Sequence, residues 1–252
     1  MNIEILYEDN DIIVCAKPAG IAVQSSSVTS PDMETILRTQ ILRSGSFKNK
    51  STILHVIHRL DQPVEGIIVF GRTRKAAADL SAQVKAQGDM NKTYLAVAYG
   101  SFTEDEKEGE LQDYIYRDTA TKKAVIVDTD DKNKAAKKCL LSYKVISEKC
   151  IKDISENNVV DFEGENVSEK ISLVEIKLET GRYHQIRAQF SNAGHPLLGD
   201  RRYCSDKSDE ASARLRVKNV ALCAYKLSFK HPVTHKIMDF EVKPQGNIFK
   251  EF

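Results

Sequence analysis

A cation, an apolar residue and a carboxylate in succession, then a turn signal, then four apolar residues: this run constrains the chain more than any other feature. It reads His58-Arg59-Leu60-Asp61-Gln62-Pro63-Val64-Glu65-Gly66 followed by Ile67-Ile68-Val69-Phe70. The arrangement puts Asp61 on a loop that feeds a rigid, buried strand, where a reactive group can be held in place. Taken alone, Arg-Leu-Asp reads first as a surface ion pair of small consequence, so the rest of the chain has to overturn that reading.

The remaining pattern is rich in short strands. A hairpin is expected from Ile3–Tyr7, a turn at Glu8–Asn10 and Asp11–Ala16, with Pro18-Ala19-Gly20 as the next turn. Further strand-like runs lie at Thr93–Tyr99, Leu111–Tyr116, Ala124–Val127, Cys139–Ile146, Ser172–Glu179, Ala221–Phe229 and Ile237–Val242. Helices are fewer. Ser30-Pro31-Asp32 opens one with Met33, Ile36, Leu37 and Ile41 on a face, ending near Gly45. Thr73 caps a second with Ala76, Ala77, Leu80 and Val84 inward, stopped by Gly88, and His184–Asn192 suits a short third. Many strands with a few helices between them predict an α+β fold. Residues 147–170 are polar and acidic around Glu163-Gly164-Glu165-Asn166 and read as a loop insertion in one domain spanning residues 1–252.

With 41% hydrophobic and 29% charged residues, the chain can bury a sizeable core and stay in solution. No apolar run approaches the ~20 residues that span a bilayer, and the N-terminus carries no secretory pattern. Cys15, Cys139, Cys150, Cys204 and Cys223 are scattered and contain no Cys-x-x-Cys pair, so neither a zinc ribbon nor a redox motif is supported. Reduced thiols in the cytoplasm follow as the simple expectation. Net charge is only +1, but it is unevenly spread. Residues 34–94 hold ten Lys or Arg against five Asp or Glu, and residues 181–220 hold eight against four. Residues 101–170 reverse the balance, twelve against seventeen. A basic face suited to a phosphate backbone can hide behind a neutral total.

The Asp61 stretch resembles the active-site motif of the RluA family of RNA pseudouridine synthases. So do four other segments, in family order. Gly181-Arg182-Tyr183-His184-Gln185-Ile186-Arg187 leads into Gly194-His195-Pro196-Leu197-Leu198-Gly199-Asp200 and Tyr203, similar to the family's later motif. Lys92-Thr93-Tyr94 matches its Lys-x-Tyr strand. Lys17-Pro18-Ala19-Gly20 and Leu227-Ser228-Phe229-Lys230-His231-Pro232 echo it at the two ends, so the resemblance runs from about Ile12 to Pro244.

The resemblance implies the family's catalytic fold: a mixed, mostly antiparallel central sheet with flanking helices and loops. It implies isomerisation of uridine to pseudouridine in ribosomal or transfer RNA, with Asp61 as nucleophile or as base at the sugar. By the same resemblance Arg187 is the cation paired with Asp61, and Tyr94 the active-site tyrosine. Arg59 is the base-flipping residue and Ile186 an apolar wall, while His58, Arg182, His184 and His195 shape loops or face RNA. The reaction has no net redox and no net hydrolysis, so no cofactor or metal is expected. The expected partner is a loop uridine of RNA, not DNA or a membrane, met by a monomer. Tyr183, Glu65 and Gln189 depart from the usual family residues, as does the turn Gln62-Pro63-Val64, and they bear on substrate choice. With the first strand of the catalytic fold expected at the very start of the sequence, the S4 domain that many relatives carry is not expected. Two other readings remain: a catalytically silent RNA-binding protein on the same fold, and a histidine-dependent metal hydrolase using His231 and His235. Pro232 breaks the helix that the latter would need.

Overall fold

Ile67-Ile68-Val69-Phe70 form the middle of a strand whose side chains are shared between two opposite cores. In the computed structural model, which describes residues 1–25, 31–44, 53–85, 88–129, 135–152 and 169–252, all seven residues of β4 (Glu65–Gly71) are buried. Side chains alternate across a sheet. Ile68 and Phe70 therefore pack with Ile13, Cys15, Met33, Leu37 and Ile41, while Ile67 and Val69 pack with Ile12, Val14, Ala76, Leu80 and Phe229. Met33, Leu37 and Ile41 come from α1 (Met33–Ser44), and Ala76 and Leu80 from α2 (Arg74–Gln83). A run without polar alternation is what a strand covered on both faces requires.

The chain divides into two compact units: Met1–Thr93 with Cys223–Pro244, and Tyr94–Leu222 with Gln245–Phe252. In the first, β1 (Glu4–Glu8) pairs antiparallel with β2 (Ile12–Lys17), and β2 with β4. The short β3 (His55–Val56) adds antiparallel to the far end of β4. β10 (Leu222–Lys230) joins β4 in parallel, through Cys223 opposite Glu65 and Ala224 opposite Gly66, and β11 (Ile237–Glu241) pairs antiparallel with β10. Gly66 is required by that parallel contact: its φ is +129°, and a Cβ there would lie 2.4 Å from the Ala224 carbonyl oxygen. Gln83 fastens the end of α2 to β10, donating to Lys230 O at 2.8 Å and accepting from Lys230 N–H at 2.8 Å.

The second unit carries the strand order β5-β9-β8-β6-β7. These are β5 (Asn91–Tyr99), β6 (Glu108–Asp118), β7 (Lys123–Val127), β8 (Lys137–Cys150) and β9 (Lys170–Leu178), with β6–β7, β6–β8 and β8–β9 antiparallel. Two helices complete it: α3 (Gln185–Asn192), which packs against β6 and β7, and α4 (Asp206–Arg214). The mixed, mostly antiparallel α+β architecture expected from the sequence is the one found.

Details differ. α1 is capped by Asp32, whose Oδ1 accepts from Thr35 N–H at 2.8 Å; Ser30 and Gly45, the expected ends, lie outside the described residues. α2 stops at Gln83, short of Gly88. β8 does not end at Ile146 but continues to Cys150 past a bulge between Val145 and Ser147, and β9 begins at Lys170. Both strands thus run further into the 147–170 segment than its polarity indicates. Its centre, Glu163-Gly164-Glu165-Asn166, lies outside the described residues. No helix among those residues is long and apolar enough to cross a membrane.

Candidate active site

Asp61 sits half-buried on the loop between β3 and β4. The Val64 N–H donates to its carbonyl oxygen at 3.0 Å, closing a turn over Gln62 and Pro63. A second turn grips the first: Gly20 N–H donates to Gln62 O at 2.8 Å, and the Gln62 side-chain amide donates to Gly20 O at 3.0 Å. Lys17 fills the space inside this strap and is 1% exposed. Its Nζ donates to the carbonyls of Pro18 at 3.0 Å, Gln62 at 3.1 Å and Val64 at 2.6 Å. Burial pulls its pKa down to about 8, and the carboxylates of Asp61 and Glu65 resist that fall. A largely charged ammonium at neutral pH therefore both ties down the Asp61 turn and contributes a positive field to it. In the sequence Lys17 stood only inside a turn echo. The signal was there: a lysine ending an otherwise apolar strand must be paired if it is buried.

Neighbours of Asp61 take different places. Arg59 is exposed and Leu60 buried. His58 accepts from Val69 N–H at 3.4 Å through Nε2, finishing the edge of β4 where β3 stops. Though some of its surface remains exposed, enclosure of the ring pushes its pKa down to about 3, helped by the Lys92 ammonium. A neutral, strand-anchoring imidazole follows. Glu65 is 8% exposed, and after burial itself its charge is what holds the Cys223 thiol up.

In the second unit Tyr94 is buried near the start of β5. Further along that strand, Tyr99 N–H donates to Pro196 O at 2.9 Å and Leu198 N–H to Val97 O at 3.0 Å, which hangs the His195–Gly199 segment on β5. Gly199 then turns with φ +73°, where a Cβ would meet Asn219 O at 2.1 Å. The turn delivers Asp200, which grips Arg187 as a two-pronged fork: Nε to Oδ2 at 2.6 Å and Nη2 to Oδ1 at 2.8 Å. Arg187 is 3% exposed and Asp200 2%. The Arg187 guanidinium also lies 5.2 Å from the Tyr203 ring centre. The arginine is thus held rigidly by groups that the sequence did not single out for it, although Asp200 and Tyr203 stood in the quoted motif.

A buried amide ladder fixes α3, which carries Arg187. Gln185 donates to Leu140 O at 3.1 Å and to Gln189 Oε1 at 3.0 Å, and Gln189 donates to Leu111 O at 3.0 Å and Asp113 Oδ2 at 2.6 Å. Gln189, a departure from the family pattern, is 1% exposed and therefore serves this internal ladder. Ile186 is buried beside it. Arg182 is exposed, its Nε donating to Lys138 O at 3.1 Å. His184 takes a left-handed backbone conformation with φ +51°, and its Nδ1 is 2.9 Å from the Tyr203 hydroxyl. His195 stacks on Phe102 with ring centres 3.8 Å apart. Burial lowers its pKa, and its Nδ1 is the buried side-chain polar atom without a hydrogen-bond partner among the described residues.

The His231-x-x-x-His235 spacing falls on a turn between β10 and β11. His231 Nε2 lies 2.8 Å from Asp9 Oδ2, and its Nδ1 accepts from Val233 and Thr234 N–H at 3.3 and 3.1 Å. One ring nitrogen shapes that turn and the other ties it to the turn between β1 and β2.

Residues 11–192 match the family model described as RNA pseudouridylate synthase. An RNA pseudouridine synthase of Bacillus subtilis (strain 168), YhcT, is 30% identical over 239 residues, covering 94% of this chain and 67% of the relative. The tRNA pseudouridine synthase C of Haemophilus ducreyi is 29% identical over 235 residues, covering 93% and 88%. The ribosomal large subunit pseudouridine synthase D of Neisseria meningitidis serogroup A is 30% identical over 264 residues, covering 99% and 60%. Among solved structures, human RNA Pseudouridylate Synthase Domain Containing 1 shares the fold with a TM-score of 0.71 at 19% identity, covering 96% of this chain and 84% of its own. With the motifs in order and a family match over most of its length, the chain belongs to the RluA family of RNA pseudouridine synthases, isomerases that turn uridine into pseudouridine in RNA.

Proposed function

We propose that this enzyme isomerises a loop uridine of ribosomal or transfer RNA, with Asp61 as the carboxylate that acts at the sugar. The observation that carries the reading is the strap of Lys17, Gly20 and Gln62, which fixes the turn that follows a half-buried aspartate. A carboxylate needs such fixation to act as nucleophile or base in a defined geometry. The reaction breaks the N1–C1′ bond, turns the uracil and joins C5 to C1′. The proton on C5 leaves and N1 gains one, so atoms balance without redox and without a cofactor. Tyr94 and Arg187 complete the proposed catalytic set, by family resemblance. Arg59, exposed beside Asp61, has the planar guanidinium that supports a flipped base, with Ile186 as an apolar wall for it. His58, through β4, is a loop-shaping residue in this reading, while Arg182, His184 and His195 belong to the RNA-facing part of the motif. The relatives' names, with tRNA in one case and the large ribosomal subunit in another, support the choice of RNA class. A monomer acting on RNA in the cytoplasm is the accompanying proposal.

Mapping pseudouridine in total RNA from cells with and without the gene identifies the target. On that target Asp61→Asn, nearly isosteric but unable to act as a carboxylate, is expected to lower turnover by several powers of ten with RNA affinity kept. Activity within about tenfold of wild type would remove Asp61 from the chemistry. RNA binding without any gene-dependent pseudouridine would favour the silent RNA-binding protein.

A further inference from the structure

At the start of α3 the chain builds a stack that no step of the reaction uses. The Tyr183 ring lies on the His184 ring, with centres 3.8 Å apart and planes within 20°. The Arg117 guanidinium, from β6, lies over the Tyr183 ring at 4.6 Å. His184 stands edge-on to Tyr203 at 86°. The aromatic layers are tied down. Tyr183 donates its hydroxyl proton to Lys122 O at 3.1 Å, and the Tyr203 hydroxyl, bonded to His184, accepts from Ala124 N–H at 2.6 Å. Within this packing His184 has a left-handed backbone, φ +51°, a conformation that persists where the surroundings over-determine it. Tyr183 is 36% exposed, and Arg117, Arg182 and Arg202 are exposed. Arg202 donates to the same Lys122 carbonyl at 3.1 Å. Asp118, next to Arg117 in the chain, is occupied by Thr121 Oγ1 at 2.6 Å and Ala120 N–H at 3.0 Å.

We propose that the Arg117–Tyr183–His184 stack is a docking platform for an unpaired RNA base, which adds itself to the outer face of the Arg117 guanidinium while Arg182 and Arg202 take flanking phosphates. The proposal rests on RNA being the substrate and deepens that reading. Its physical basis is that bases stack on guanidinium planes and aromatic rings whatever their sequence. A guanidinium already backed by an aromatic ring presents its free face without further ordering. Where the family usually has Thr or Ser, Tyr183 supplies that backing, so the platform is a specificity device of this chain. A purely structural Tyr183 would need only its hydroxyl on Lys122.

The test measures affinity of the full chain for a single-stranded oligouridylate of about twelve nucleotides over a range of salt. Arg117→Lys keeps the charge and removes the plane. It is expected to weaken binding about tenfold, the loss typical of one stacked base, with an unchanged salt slope. Tyr183→Leu is expected to weaken binding similarly, and Tyr183→Phe to bind as wild type. Wild-type affinity in Arg117→Lys overturns the proposal, since charge alone would then suffice; so does lost binding in Tyr183→Phe. Because the chain has no tryptophan, Tyr183→Trp gives a lone indole whose emission should change on adding the oligonucleotide, and an unchanged emission counts against the platform. Isomerisation of mapped RNA by wild type alongside normal binding of every variant sinks the platform alone. Absent isomerisation with the expected binding losses sinks the enzymatic reading and leaves the platform standing.

Discussion

Lys17 and Arg187 are cations taken out of water by different means. Lys17, compact and rotatable, is satisfied by three carbonyls. Arg187, a planar fork, is gripped by the Asp200 carboxylate, whose Oδ1 also accepts from Arg202 and Tyr203 N–H at 3.0 and 3.3 Å. Breaking a buried ion pair by neutralising one partner costs about 3–5 kcal/mol. Asp200→Asn should therefore lower thermal stability and, by loosening Arg187, lower kcat well beyond any change in RNA affinity. Single-turnover rates at saturating RNA check this, and a variant with wild-type kcat would reduce Asp200 to packing. His58 gives a pH signature. Above its ordinary value of 6.5 the ring is neutral folded or unfolded. Between 6.5 and about 3 the unfolded chain takes up a proton that the native ring refuses, so stability falls as pH falls through that window. Urea midpoints from pH 7.5 downward should show a smaller decline in His58→Gln; equal declines would remove His58 as the cause. At this scale, motif resemblance nominated Asp61, Tyr94 and Arg187. It did not show that Lys17 holds the Asp61 turn, because contacts between positions so far apart are made only by the folded chain.

Elements were legible where burial imposes a period. β4 announced itself because α1 and α2 cover its two faces. Helix α4 did not, since Asp206–Arg214 is nearly all polar and buries only Ser208, Ala211 and Ser212. Its one local cue was Ser205, whose Oγ accepts from Ser208 N–H at 3.2 Å. The extension of β8 was hidden by its bulge, which leaves Ile146 52% exposed and breaks the alternation. Gly66 tests how tightly β4 is seated. Gly66→Ala sets a Cβ against the Ala224 backbone at a φ that alanine avoids. The loss should exceed the ~1 kcal/mol that a conformationally compatible Gly→Ala gains, with a lower melting temperature and reduced turnover through the adjoining Asp61 loop. An unchanged melting temperature would mean that the β4–β10 contact is looser than described.

Across the whole chain, a net charge of +1 conceals basic stretches at 34–94 and 181–220. RNA affinity should therefore fall steeply with salt, each neutralised phosphate of a single strand adding about 0.7 to the log–log slope. A flat affinity between low and physiological salt would contradict a basic RNA-facing surface. Lys48 and Lys50, within the first basic stretch, lie outside the described residues, and charge reversal there remains a direct probe by binding alone. The first unit has one more property. It is assembled from two stretches far apart in the sequence, Met1–Thr93 and Cys223–Pro244, and β4 takes its parallel neighbour from the later one. During synthesis the ribosome delivers the early strands long before β10, at about 5–20 residues per second. Until β10 emerges, the strand following Asp61 has an open edge and Gly66 has no neighbour to press against. The Asp61 loop therefore gains its finished scaffold only once β10 has been made, and a nascent or terminated chain that stops short of Leu222 lacks it.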